Sequence, residues 1–139
     1  MTKYNKIAVA IDFSEQSLKA YNRAVNVAKE SGATLQLVNV VDTKSFGSVP
    51  AYDLKYAEKL KEENLFKIEK LKNEAEAAGV AKVEAVVEMG SPKVILTGLP
   101  DVELIVCGAT GVNQFEKMMI GSVAERIVRL AKCDVLLVR

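Results

Sequence analysis

LIVCGATGVNQFEKMMIGSVAE, running from Leu104 to Glu125, holds the features that decide the fold. Leu104-Ile105-Val106-Cys107 is short, apolar and rich in β-branched residues, which predicts a buried strand. Gly108 follows at once, then Gly111, then nine residues, then Gly121-Ser122 at the head of an amphipathic stretch. Glycines between a strand and a helix let backbone approach a ligand with no Cβ in the way. The first turn of a helix beginning at Ser122 has N–H groups without intrahelical acceptors, and its dipole favours an anion. Strand, glycine loop and helix start make a candidate phosphate cradle. The spacing alone is equally compatible with a plain reading, in which Gly108 and Gly111 shape a turn and Gly121-Ser122 caps a helix.

Working outward, Lys6 to Ile11 (KIAVAI) is an apolar run of strand length that stops at Asp12. Ser14 then suits a helix N-cap, Leu18, Tyr21, Val25 and Ala28 recur at helical steps, and Gly32 supplies the stop. Thr34 to Val40 predicts a second strand, and residues 41 to 50, with Gly47, Ser48 and Pro50, a loop. A long helix is expected from about Tyr52 to Ala78. Its apolar stripe is Ala57, Leu60, Leu65, Ile68, Leu71, Ala75 and Ala78, and mixed charges such as Lys59, Glu62, Glu63 and Lys67 form a solvated surface. Gly79 ends it. Val83 to Glu88 predicts a third strand, Ser91-Pro92 a short helix reaching Gly98, Ser122 to Leu130 the last helix, and Val135 to Val138 the fifth strand.

The expected order β-α-β-α-β-α-β-α-β is that of an α/β domain, a parallel sheet with helices on both faces. Ligands on such sheets bind outside the carboxyl ends of the strands. Those ends carry Asp12, Val40-Val41, Gly90 and Gly108, three of which are expected to form the pocket.

The chain has 139 residues, one domain's worth, with half of them apolar, about a quarter charged and a net charge of +1. So small a charge gives no overall pull toward nucleic acid or an acidic membrane. No apolar stretch nears the roughly 20 residues needed to span a bilayer, and no signal peptide is expected before the first strand. Cys107 and Cys133 are isolated, as in reduced cytoplasmic proteins. Histidine is absent, which removes His-based acid–base chemistry, Ser–His and Cys–His pairs and the usual zinc sets.

Gly108-x2-Gly111-x9-Gly121-Ser122 resembles the nucleotide-binding motif of the universal stress protein family, and Gly121 to Arg126 resembles that family's helix start. The likeness extends to Val9 to Ser14, Val38-Asn39-Val40, Gly90-Ser91-Pro92 and Cys133 to Arg139. It implies a five-stranded parallel sheet of order 3-2-1-4-5, Rossmann-like, and an adenine nucleotide as ligand: ATP, or AMP or ADP, with Mg²⁺. Asp12, read from its neighbours as an Asx-turn or capping residue, would by resemblance also accept hydrogen bonds from ribose hydroxyls. Val40, a core residue by its side chain, would pair an adenine edge through its main chain. Gly108 and Gly111 would face ribose and phosphates, and Gly121, Ser122 and Val123 would hold the phosphates. Family members often carry a basic residue between the first two glycines. Here Thr110 stands instead, leaving Lys117 or a divalent cation to neutralise charge. Met118, Met119 and Ile120 are expected to anchor the loop to the core, with an apolar lid as the other reading.

The resemblance implies a stress-linked regulatory binding protein rather than an enzyme. Adenylating chemistry would want a glycine-rich loop after the first strand, where this chain has Asp12-Phe13-Ser14-Glu15-Gln16-Ser17, and no Walker A sequence occurs. Slow ATP hydrolysis and a non-nucleotide interaction module are the alternatives. The apolar final strand is expected to sit at a sheet edge and to pair two copies into a homodimer, as family members do.

Overall fold

In a computed structural model, residues 4–43, 51–110 and 120–139 are described, residues 51–54 by their backbone alone. The elements follow in the expected order: β1 (Lys6–Ala10), α1 (Glu15–Ser31), β2 (Thr34–Asp42), α2 (Ala51–Ala77), β3 (Lys82–Gly90), α3 (Pro92–Thr97), β4 (Leu104–Gly108), α4 (Ser122–Leu130) and β5 (Asp134–Val138). The strands form one parallel sheet of order β3-β2-β1-β4-β5. All connections are crossovers, as parallel pairing requires.

Both faces of the central strands are covered, which is why they are apolar at consecutive positions. Ile7, Val9, Leu35, Leu37, Leu104 and Val106 face α1 and α2, packing with Ala20, Tyr21, Ala24, Ala57 and Ile68. Ala8, Val38, Ile105 and Cys107 face α3 and α4, packing with Leu96, Ala124 and Ile127.

The caps are where the sequence places them. Ser14 Oγ accepts from Ser17 N–H at 3.2 Å, and Gly32 takes the left-handed φ of 66° that ends α1. Two strands run longer than expected, β2 through Asp42 and β3 from Lys82 to Gly90. Their mutual ladder continues to Asp42↔Gly90, near the sheet's edge, where charged side chains reach solvent. The stripe of α2 needs a correction. Leu65 and Ala78 are exposed, and the buried position is Asn64, 8% exposed. The inward positions are 57, 60, 64, 68, 71 and 75, an unbroken run of three- and four-residue steps. Lys67 is exposed as expected, but its ammonium also lies 5.2 Å above the Phe13 ring. Among the described residues no helix is long and apolar enough to cross a membrane.

Candidate functional site

At the carboxyl ends of β1, β2 and β4 lies a cavity of about 410 Å³, closed on one side by α3 and α4. Its wall includes Asp12, Val40, Gly108, Gly121, Ser122 and Val123, six of the seven residues singled out in the sequence. Gly111 lies outside the described residues, as do Lys117, Met118 and Met119. Ile120 is 39% exposed, so it does not anchor the loop to the core as expected. Gly90, the fourth strand end, is not in the wall; its carbonyl accepts from Thr43 N–H at 3.1 Å.

The β1–α1 turn is held by a chain of side-chain hydrogen bonds. Asp12 Oδ1 accepts from Ser14 N–H at 2.9 Å, an Asx turn, and Asp12 N–H donates to Ser17 Oγ at 3.3 Å. The Ser17 hydroxyl donates in turn to Ser14 O at 3.1 Å. Between them Phe13 adopts φ 65°, a left-handed conformation that bulky residues hold only when their surroundings impose it. The turn-forming role of Asp12 is therefore present, and the residue also lies in the cavity wall.

Val40 owes its place to strand periodicity. Thr34 N–H donates to Asn5 O, and Val38 O accepts from Ile11 N–H at 2.8 Å, so even-numbered residues of β2 turn their main-chain groups toward β1. Those of Val40 point the same way, but the β1–β2 register ends at Ala10↔Val38. Its N–H and C=O thus face the gap beyond the end of β1, which is the cavity.

The glycines divide into two kinds. A Cβ on Gly108 would come within 3.0 Å of the backbone carbon and oxygen of Gln16, so α1 starts against β4 only because no side chain intervenes. That close packing is a reason for glycine here separate from the expected approach to a ligand, and Gly108 lies in the cavity wall as well. Gly121 has φ −62° and ψ 156°, dihedrals any residue adopts. Its N–H donates to Ala109 O at 2.7 Å and its carbonyl accepts from Glu125 N–H at 2.9 Å. The N–H groups of Ser122, Val123 and Ala124 therefore precede the first intrahelical bond and open on the cavity. With the helix dipole they favour an anion there.

Sequence reasoning missed several wall residues. Ser17, Asp42, Pro92, Leu96 and Cys107 line the same space. Cys107 was one residue from a named glycine, and burial pushes its thiol up to about 11, leaving it neutral. Both cysteines are free thiols. Among the described residues no cluster of three His, Cys, Asp or Glu side chains is placed to hold a metal ion.

A parallel sheet ordered 3-2-1-4-5 with helices on both faces and a cavity at its carboxyl edge defines a Rossmann-like class of α/β domain. Within it, the chain belongs to the universal stress protein family, whose sequence profile matches residues 3–139. A Staphylococcus saprophyticus protein carrying that family's name is 42% identical over 143 residues, covering 100% of this chain and 86% of the relative. Among solved structures, the universal stress protein UspA of Lactobacillus plantarum superposes with a TM-score of 0.91 at 26% identity, covering 100% of each chain. A universal stress protein in complex with cAMP gives 0.74 at 28% identity, covering 99% of each.

Proposed function

We propose that this protein is a cytoplasmic regulator that binds an adenine nucleotide, ATP with Mg²⁺ or else AMP or ADP. The observation that carries the reading is the convergence on one cavity of three complementary groups: the outward-facing main chain of Val40, the carboxylate of Asp12 and the first-turn N–H groups of α4. The adenine edge pairs with Val40, whose adjacent donor and acceptor match an amino group beside a ring nitrogen. Asp12 accepts from the ribose hydroxyls. Gly121, Ser122 and Val123 hold the phosphates through main-chain N–H groups and the Ser122 hydroxyl, with Gly108 beside them. The cAMP complex of a 28%-identical relative supports the ligand class. Mg²⁺ fits as a partner of phosphate oxygens and water rather than of a carboxylate cage.

Binding, not turnover, is the output. The chain contains no histidine, and neutral Cys107 is no nucleophile, so hydrolysis proceeds at most slowly, by positioning. The bound nucleotide is read out by a homodimer paired through β5. That strand lies at the end of the sheet, its outer edge unpaired among the described residues, its four apolar residues only half-buried, and Val128 and Leu130 of α4 are exposed beside it. Deleting Leu136 to Arg139 or placing Pro at Leu137 yields monomer or insoluble protein, and a 15 kDa species by light scattering of intact protein refutes the dimer. The binding reading is tested by mass spectrometry of nucleotide released from purified protein and by titration calorimetry. Micromolar affinity, about −8 kcal/mol, is expected for ATP with Mg²⁺. No heat and no thermal shift with millimolar ATP overturns it.

A further inference from the structure

Two asparagines buried in an apolar face reach the candidate site from behind. Asn39 is 3% exposed and sits on β2 between Val41 and Leu37, on the face that packs against α1 and α2. Its Nδ2 donates to the carbonyl of Ile11 at 2.8 Å, and its Oδ1 accepts from Asn64 Nδ2 of α2 at 3.0 Å. Ile11 is the residue before Asp12, and its carbonyl belongs to the peptide that leads into the turn. Beyond the last registered pair Ala10↔Val38, β1 leaves the ladder, so that carbonyl is held by a side chain where a strand would have held it. The next residues adopt the left-handed turn at Phe13, over whose ring Lys67 of α2 also reaches. A buried amide is costly unless bonded, and it restricts geometry more sharply than apolar packing can.

We propose that Asn39 and Asn64 are positioning residues for Asp12: α2, through this amide chain, sets the direction of the Ile11–Asp12 peptide and so the place of the Asp12 carboxylate at the cavity. The pair does not touch the cavity itself. It acts through the main chain, and Asn64 acts only through Asn39. The functional part rests on the reading that Asp12 takes the ribose hydroxyls. Removing the brace should then weaken the contact to the sugar more than the contacts to base or phosphate.

The test uses Asn39→Ala, Asn64→Ala, the double variant, and Ile68→Val as a packing control one turn along α2. In ligand-free protein, amide hydrogen exchange at Asp12 and Ser14 should quicken roughly tenfold in Asn39→Ala, the upper range for one net hydrogen bond. Asn64→Ala should show a smaller effect that vanishes in the Asn39→Ala background, while Val106 in β4 and the Ile68→Val control stay unchanged at those positions. Should Asn39→Ala fail to fold, Asn64→Ala, which keeps the bond to Ile11, decides the matter by the same exchange measurement. Unchanged exchange at Asp12 and Ser14 overturns the brace, whatever the ligand. With nucleotide, the ratio of affinities for ATP and 2′-deoxy-ATP should move toward one in Asn39→Ala. An intact protein that binds neither refutes the nucleotide reading and leaves exchange to judge the brace. An intact protein that discriminates, beside an Asn39→Ala variant that discriminates equally, overturns the link from brace to sugar.

Discussion

Gly108→Ala probes how closely the first turn of α1 is set against β4. The added Cβ meets Gln16 C, O and Cβ at 3.0 Å each, and two of those atoms are backbone. Backbone cannot rotate aside, so α1 must retreat by a few tenths of an ångström or β4 must shift. Overpacking of this kind costs about 1–3 kcal/mol. Replacing glycine returns roughly 0.4–1 kcal/mol by restricting the unfolded chain, leaving a net loss of about 1–2 kcal/mol. With unfolding entropy of about 2.1 cal/mol/K per residue, that lowers the midpoint by roughly 3–7 °C. The retreat also carries the Asp12 turn, whose hydrogen bonds run to Ser14 and Ser17 on the same helix start. Circular dichroism melts and ATP titration of the variant measure both effects. A midpoint that rises, as the entropy term alone would produce, shows that α1 yields freely and that the contact sets nothing.

Gly121→Val should leave the melting midpoint nearly unchanged, because φ −62° and ψ 156° suit valine, yet abolish ATP binding by filling the approach to the α4 N-terminus; calorimetry separates the two. Tyr21→Phe removes the hydroxyl that donates to Leu71 O at 2.7 Å and should cost about 1 kcal/mol at neutral pH in denaturant titration. Burial, with Glu74 adding to it, pushes the Tyr21 hydroxyl from 10.0 up to about 12, so its stabilising contribution is complete below pH 10 and is lost as pH rises toward 12. The variant should therefore show a flatter stability profile across that alkaline window than the parent. Cys107, buried and neutral with its pKa near 11, should resist alkylation at pH 8 until the protein is unfolded, as peptide mass mapping would reveal; rapid native labelling contradicts its placement.

What could be read from the sequence was whatever local chemistry decides. Ser14 and Gly32 bound α1 because a hydroxyl cap and a left-handed glycine act within a single turn. Ser122 to Leu130 was legible to the residue, since Gly121 precedes it and an amphipathic pattern fills it. Strand ends were not. Asp42 and Gly90 look like terminators, yet β2 and β3 continue to them by pairing with each other, a non-local cause. On α2 the eye prefers Leu65 to Asn64, and only a partner on another element, Asn39, makes the polar residue the buried one. An asparagine inside the apolar run Val38 to Val41, matched by one on an inward helical position, was the available clue. The crowding at Gly108 was not legible locally, because it comes from Gln16 at the start of α1, far earlier in the chain.

One residue closes the base of the segment between β4 and α4. Ala109 N–H donates to Val138 O at 2.8 Å, and Ala109 O accepts from Gly121 N–H at 2.7 Å. The strand that ends the sheet and the helix that starts the cradle are thereby clipped to the same residue by main-chain bonds, which no substitution except proline removes. Whatever sequence joins Thr110 to Ile120 enters and leaves through a fixed gate. A displacement of β5 is therefore felt at the start of α4 through main chain alone, without passing through any side chain.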